Sequence, residues 1–130
     1  MGDTLANGSR TDSSTIYQLE NGQFYITSGR IVNVGWPLVI QAEDLSNTDT
    51  KPVIGRIPND SGDFPDIMRP QGDVTLQNLW IISGEKGALE DHDWGKIRLS
   101  ADDMRMIVED CIIEKDRGGF LQVRANNTKI

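Results

Sequence analysis

The sequence predicts an all-β chain in which short strands are laid down in repeated turns, as in a solenoid. Three observations carry this. The first is the stretch Gly72-Asp73-Val74-Thr75-Leu76-Gln77-Asn78-Leu79-Trp80-Ile81-Ile82-Ser83-Gly84, where apolar positions alternate, slip by one residue at Asn78 and then resume. Two strands meeting at a tight corner would give that slip. Asn suits such a corner because it tolerates left-handed dihedrals and hydrogen-bonds its own backbone. The second is a repeat of the same pattern further on: Leu76 maps onto Val108, Asn78 onto Asp110, Leu79 onto Cys111 and Ile81 onto Ile113, a constant shift of 32 residues. The third is composition. Only 37% of the 130 residues are apolar and 13 are glycine, which fits a thin repeated core with frequent turns better than a thick round one.

Taken in order, residues 1–15 are rich in Gly, Asn, Ser, Asp and Thr without periodicity and read as a disordered lead-in. The ordered part is expected over residues 16–130 as a single domain or a piece of a larger one. Ile16 to Leu19 opens it, and Asn21-Gly22 is a turn signal. Phe24-Tyr25-Ile26-Thr27 has strand propensity, Ser28-Gly29 turns the chain, and Ile31, Val32 and Val34 resume it. Gly35-Trp36-Pro37 is the next corner, followed by the apolar strand Leu38-Val39-Ile40. Residues 44–51 form a polar loop expected to project outward. Pro52-Val53-Ile54 restarts a strand, residues 58–66 make a turn-rich excursion, and Ile67-Met68 forms a short pairing segment. After the Asn78 rung comes a longer loop over residues 84–95, then the strand Lys96-Ile97-Arg98-Leu99. Ser100-Ala101-Asp102-Asp103 could open a helix, but no amphipathic run follows, so a turn is expected. Met106 to Ile113 is the second rung, Gly118-Gly119 turns, and Phe120 to Arg124 is a strand. Asn126-Asn127 is a further corner, and Thr128-Lys129-Ile130 opens a strand with no partner after it. A solenoid ordinarily shields its last edge. The expectation is therefore a fold incomplete at the C-terminal end, with missing C-terminal coils of the same protein as its partner.

The charge is −7, which argues against nucleic acid or an anionic membrane surface as partner. No apolar run is long enough to span a bilayer, and no signal peptide is visible. The single cysteine, Cys111, excludes an internal disulfide and reads as a small buried hydrophobe within a strand. With one Cys and one His (His92, in a polar loop) no metal cage of those ligands forms. Phosphate loops, Gly-x-Ser-x-Gly and His-Glu-x-x-His are absent from the sequence.

Three passages carry a resemblance: Gly35 to Ala42 followed by Lys51-Pro52-Val53-Ile54, then Gly72 to Leu79, then Ile107 to Ile113. Short strands, Gly or Asn corners, outward loops and repeated inward aliphatics together resemble a right-handed parallel β-helix. The chain is similar to the N-terminal coils of the pectin-lyase-like superfamily over residues 16–130. An antiparallel β-sandwich is the alternative, though it would alternate more cleanly and use more two-residue hairpins. The resemblance implies polysaccharide as partner, an extracellular or periplasmic location, and a polysaccharide lyase or glycoside hydrolase of which this chain alone would be catalytically incomplete. A non-enzymatic, adhesin-like surface protein binding glycans or protein partners is the second reading. Lyases of the superfamily use calcium-bound carboxylates, so calcium is the cofactor implied on that branch. None of the family's catalytic motifs maps onto a position here, and the catalytic residues are unknown.

Candidate carbohydrate-binding residues are Trp94, Lys96 and Arg98, in or beside one strand, with Arg124 extending the surface on the next turn. Outward Lys96 and Arg98 could meet a carboxylated sugar while Trp94 stacks on its ring. A solvated strand face covered by a loop tryptophan is the structural alternative. Asp102-Asp103 and Glu109-Asp110 offer oxygen ligands for calcium, with turn formation as the plainer role. The alternating run Glu114-Lys115-Asp116-Arg117 reads as an exposed charged turn.

Overall fold

A computed structural model describes residues 16–27, 30–57, 60, 66–82, 97–114 and 121–130. The expectations for the lead-in 1–15, the turns at 28–29 and 118–119, the bulk of the excursion after residue 57 and the loop 84–95 lie outside them. The described residues are all-β, with no helix; residues 101–103 form a turn. Ten strands occur among the described residues: β1 (Tyr17–Leu19), β2 (Phe24–Thr27), β3 (Leu38–Ala42), β4 (Val53–Arg56), β5 (Val74–Gln77), β6 (Trp80–Ile81), β7 (Ile97–Leu99), β8 (Met106–Glu109), β9 (Ile112–Ile113) and β10 (Leu121–Val123).

Among the described residues every strand pairing is parallel. One sheet has the order β1-β3-β5-β8, a second β2-β4-β6-β9, and a third pairs β10 with β7. Consecutive strands therefore fall in different sheets, and each strand pairs with its counterpart one level along. The third sheet is extended by single parallel bridges from Ile31 to Met68 and from Met68 to Ile97. Parallel strands need a long connection between them; here the connection is the passage through the other two sheets.

The register explains the repeat in the sequence. Leu76 pairs with Val108 and Ile81 with Ile113, so the shift of 32 residues is one level of stacking. Side chains alternate faces along each strand. Leu38, Ile40 and Ala42 are buried in β3 while Val39 and Gln41 are not, and Val74 and Leu76 are buried in β5 while Thr75 and Gln77 are not. Inward rows then run across the sheets: Leu38, Val74 and Met106 in one, and Tyr17, Ile40 and Leu76 in the next. Ile54 and Ile81 from the second sheet and Met68, Ile97 and Leu99 from the third close the same apolar cluster. A buried Leu or Ile of this kind contributes about 1.5–3 kcal/mol by leaving water.

Corners join the sheets without hairpins. Asn78 and Asp110 stand between the first and second sheets with φ of 54° and 51°, and Gly22 takes the same place two turns before Asn78 at 81°. The turn at Asn21-Gly22 thus does not fold β1 back on β2; it delivers the chain to another sheet. Asp103 and Asn127, with φ of 57° and 52°, do the same on the way back to the first sheet. Their side chains are linked between levels, Asn127 Nδ2 donating to Asp103 Oδ1 at 3.1 Å, and the Asn126 amide N–H donating to Asp102 Oδ1 at 2.7 Å.

Two details differ from the sequence-based expectation. Residues 31–34 make only isolated bridges, at Ile31 and Val34. Between them Asn33 is fully buried, its Nδ2 donating to Trp36 O at 2.6 Å and to Asp73 O at 3.1 Å. A buried amide there satisfies corner carbonyls that a regular strand would leave unmet. The loop 44–51 is solvent-exposed, as expected, but it is clasped from both sides. Asn21 Nδ2 reaches the carbonyls of Asp44 and Thr50 at 3.1 and 2.8 Å. Asn78 Nδ2 reaches those of Asp44 and Asn47 at 3.2 and 2.9 Å, while Lys51 Nζ donates to Asn78 Oδ1 at 2.5 Å.

Two substitutions test this account. A Cβ at Gly72 would lie 2.8 Å from the Trp36 carbonyl oxygen and 3.1 Å from Asn33 Nδ2. Gly72→Ala is expected to cost about 1–3 kcal/mol in chemical denaturation, the range of an overpacked core. At Asn78, Ala loses both the clasp and the tolerance for positive φ, whereas Gly loses only the clasp. Asn78→Ala is expected to be the less stable of the two by about 1 kcal/mol, and equal stability would show that the corner is not strained.

Candidate functional site

In β7, Ile97 and Leu99 are fully buried in the core, so Arg98 between them points to the opposite face of the third sheet. That side chain is nevertheless only 8% exposed. Its Nε donates to Gln122 Oε1 at 3.3 Å, and Gln122 is its register partner in β10. Burial pushes the Arg98 guanidinium below its ordinary pKa, an effect opposed by the Asp66 carboxylate and reinforced by the cations Arg69, Arg124 and Arg30. The group stays protonated, since arginine does not lose its proton in proteins.

These neighbours form one assembly. Asp66 is 1% exposed and accepts from Arg69 Nε at 3.1 Å and Nη2 at 2.8 Å. Arg30 Nε lies 3.5 Å from the same Asp66 oxygen. The bridges Ile31 to Met68 and Met68 to Ile97, with the pairing of Ile97 to Leu121, place Arg30, Arg69, Arg98 and Arg124 on four successive levels. The exposures run from 43% for the Arg30 side chain and 25% for Arg69 to the nearly covered Arg98; Arg124 is exposed. Two guanidiniums thus hold the Asp66 carboxylate, Arg98 lies within its field, and Arg124 lies within the field of Arg98, in a chain whose net charge is −7.

Of the residues named from sequence, Arg98 and Arg124 are brought into one electrostatic cluster. Trp94 and Lys96 lie outside the described residues, as does His92. Arg30, Arg69, Asp66 and Gln122 were not singled out from sequence. Their common signal is register: each lies within a few residues of Ile31, Met68, Ile97 or Leu121, which stack on one another, and nothing in linear spacing announces it.

The other polar groups serve the frame. On the outer side of the first sheet Gln18, Gln41, Gln77 and Glu109 stand in one register row. Gln77 Nε2 donates to Glu109 Oε2 at 2.5 Å. Asp102 and Asp103, considered as calcium ligands, hold the corner amides of Asn126 and Asn127. Among the described residues no group of three or more His, Cys, Asp or Glu side chains is placed to hold a metal ion. Cys111 is half-buried against the core, and burial raises its thiol pKa above the ordinary value. Among the described residues no helix is long and apolar enough to cross a membrane.

Comparison with protein-family models, with curated proteins and with solved structures found no match.

Asp66 is the carboxylate that makes this cationic assembly compatible with burial. Asp66→Asn keeps the shape and removes the charge. It is expected to lower stability by about 3 kcal/mol, as for a buried pair broken from one side, measured by urea unfolding. A variant as stable as the parent would mean that the arginines do not depend on it.

Proposed function

We propose that this chain forms coils of a right-handed parallel β-helix of the pectin-lyase-like kind, and that the arginine face of its third sheet binds a carboxylated polysaccharide. The helix reading is supported by the order of the sheets: each level visits three sheets in turn and pairs in parallel with the next. The ligand reading is carried by one observation, a guanidinium on each of four successive levels in an acidic chain. Levels are about 4.8 Å apart. A polymer bearing one carboxylate on every sugar, laid across the levels, would meet a cation on each level it crosses, with Arg30 and Arg124 the most open of them. Arginine suits the task because its planar fork engages a carboxylate through two parallel hydrogen bonds.

Binding without turnover is the form of this proposal that the charges favour. Glycosidic hydrolysis uses a pair of available carboxyl groups, while Asp66 at the centre of this face is already held by Arg69. The protein would then work where such polymers occur, outside the cytoplasm, as a carbohydrate-binding surface protein or as the binding part of a carbohydrate-active enzyme.

Calorimetric titration with tetragalacturonate tests the ligand reading. Saturable binding that weakens with added salt is expected, with Arg30→Ala and Arg124→Ala each weakening it about tenfold, the scale of one lost charge-assisted contact. The fully methyl-esterified tetramer is expected not to bind. Equal affinity for both tetramers would overturn carboxylate recognition.

A further inference from the structure

The second sheet has an outer face of a different kind. Tyr25, Ile54, Ile81 and Ile113 share its inward row, so the register puts Phe24, Val53, Trp80 and Ile112 together on the outside. Ile26 and Gly55 adjoin them in the next outward row. Outward positions of a half-exposed sheet are ordinarily polar. Here Phe24 is 54% exposed, Ile26 59%, Trp80 39% and Ile112 47%. Large apolar side chains exposed side by side make this face a candidate docking surface.

Both aromatic rings are held. Trp80 Nε1 donates to Glu114 Oε1 at 3.1 Å. Phe24 lies across Gly55: a Cβ there would be 3.1 Å from Phe24 Cζ and 3.3 Å from Ile82 Cδ1. The missing side chain at 55 lets the ring settle against the sheet. Phe24 and Trp80 are two levels apart through Val53, about 9.6 Å, with an apolar floor between them.

We propose that this face is a stacking platform for a flat, neutral, β-1,4-linked glycan. Four strands at ~4.8 Å and four residues at ~3.3 Å make a face of roughly 250 Å². A stable second copy needs about 800 Å² on each partner, so the face is too small for a dimer. Among the described residues the outward rows of this face carry no charged side chain, and Glu114 at its margin accepts from Trp80. Extended peptides add to sheet edges, where backbone groups are open, and not to the middle of a sheet face. A pyranose ribbon meets these conditions. It lays C–H faces on aromatic rings and keeps its hydroxyls in water, and two rings at this separation span about a disaccharide. The site is independent of the arginine face, which lies on another sheet.

Calorimetric titration with cellohexaose and xylohexaose provides the test. Saturable binding of at least one is expected, weakened about fivefold to tenfold in Trp80→Ala and in Phe24→Ala. Both side chains are solvent-exposed, and an unchanged thermal melt will show that each variant is folded. Arg124→Ala is expected to bind the neutral hexasaccharide as the parent does. The proposal fails if neither sugar binds, if Trp80→Ala binds equally well, or if Arg124→Ala is as impaired as Trp80→Ala. It also fails if sedimentation reveals a dimer, or binding of an amphipathic helical peptide, that Trp80→Ala abolishes, because the face would then belong to a protein.

Discussion

The constraint on which everything else depends is that backbone groups are satisfied between levels and not within them. A strand of two to five residues cannot pair with its sequence neighbour here, because that neighbour lies in another sheet. Its N–H and C=O groups find partners only if the next level arrives in register. Bonds such as Asn78 N–H to Glu109 O and Ile112 N–H to Leu79 O carry the pairing straight through the corner. Short strands are tolerable because each is continued sideways by the strands before and after it.

Register at this level of demand needs corners of fixed length. Asn78, Asp110, Asp103 and Asn127 supply it by entering the left-handed region with polar side chains. The cost is offset by what those side chains do next. Asn78 clasps the 44–51 loop, and Asp103 receives Asn127 from the following level. A corner that stacks on a corner is held both by its backbone geometry and by its neighbour, so a loop inserted at one level leaves the next level undisturbed.

The same stacking turns scattered residues into surfaces. Arg30, Arg69, Arg98 and Arg124 are far apart along the chain, yet they form one cluster, Arg30 and Arg69 on Asp66 and Arg124 beside Arg98. Phe24 and Trp80 become neighbours across Val53 and Gly55 in the same way. One face is cationic and partly covered; the other is apolar and open. An acidic chain that places its cations together and leaves aromatic rings in solvent has two surfaces whose composition core packing alone does not explain.

Much of the frame could be read from residues. The phase slip at Asn78, its return at Asp110, the inward rows and the absence of a helix after Ser100 all follow from local alternation and from which side chains accept positive φ. The mapping of Leu76 onto Val108 required only that the two stretches repeat. Arg98 and Arg124 were legible as cations beside strands. Three things were decided by tertiary structure alone. The parallel direction of pairing was one in the sense that alternation is the same in parallel and antiparallel strands; the resemblance led to the expectation of parallel pairing, and the register bears it out. Another was the outward apolar row, because Phe24 and Trp80 look like core residues until register shows which row faces inward. The last was the arginine cluster with its buried Asp66, because the levels that unite it are separated by inserted loops of unequal length, and distance along the chain carries no information about contact across it.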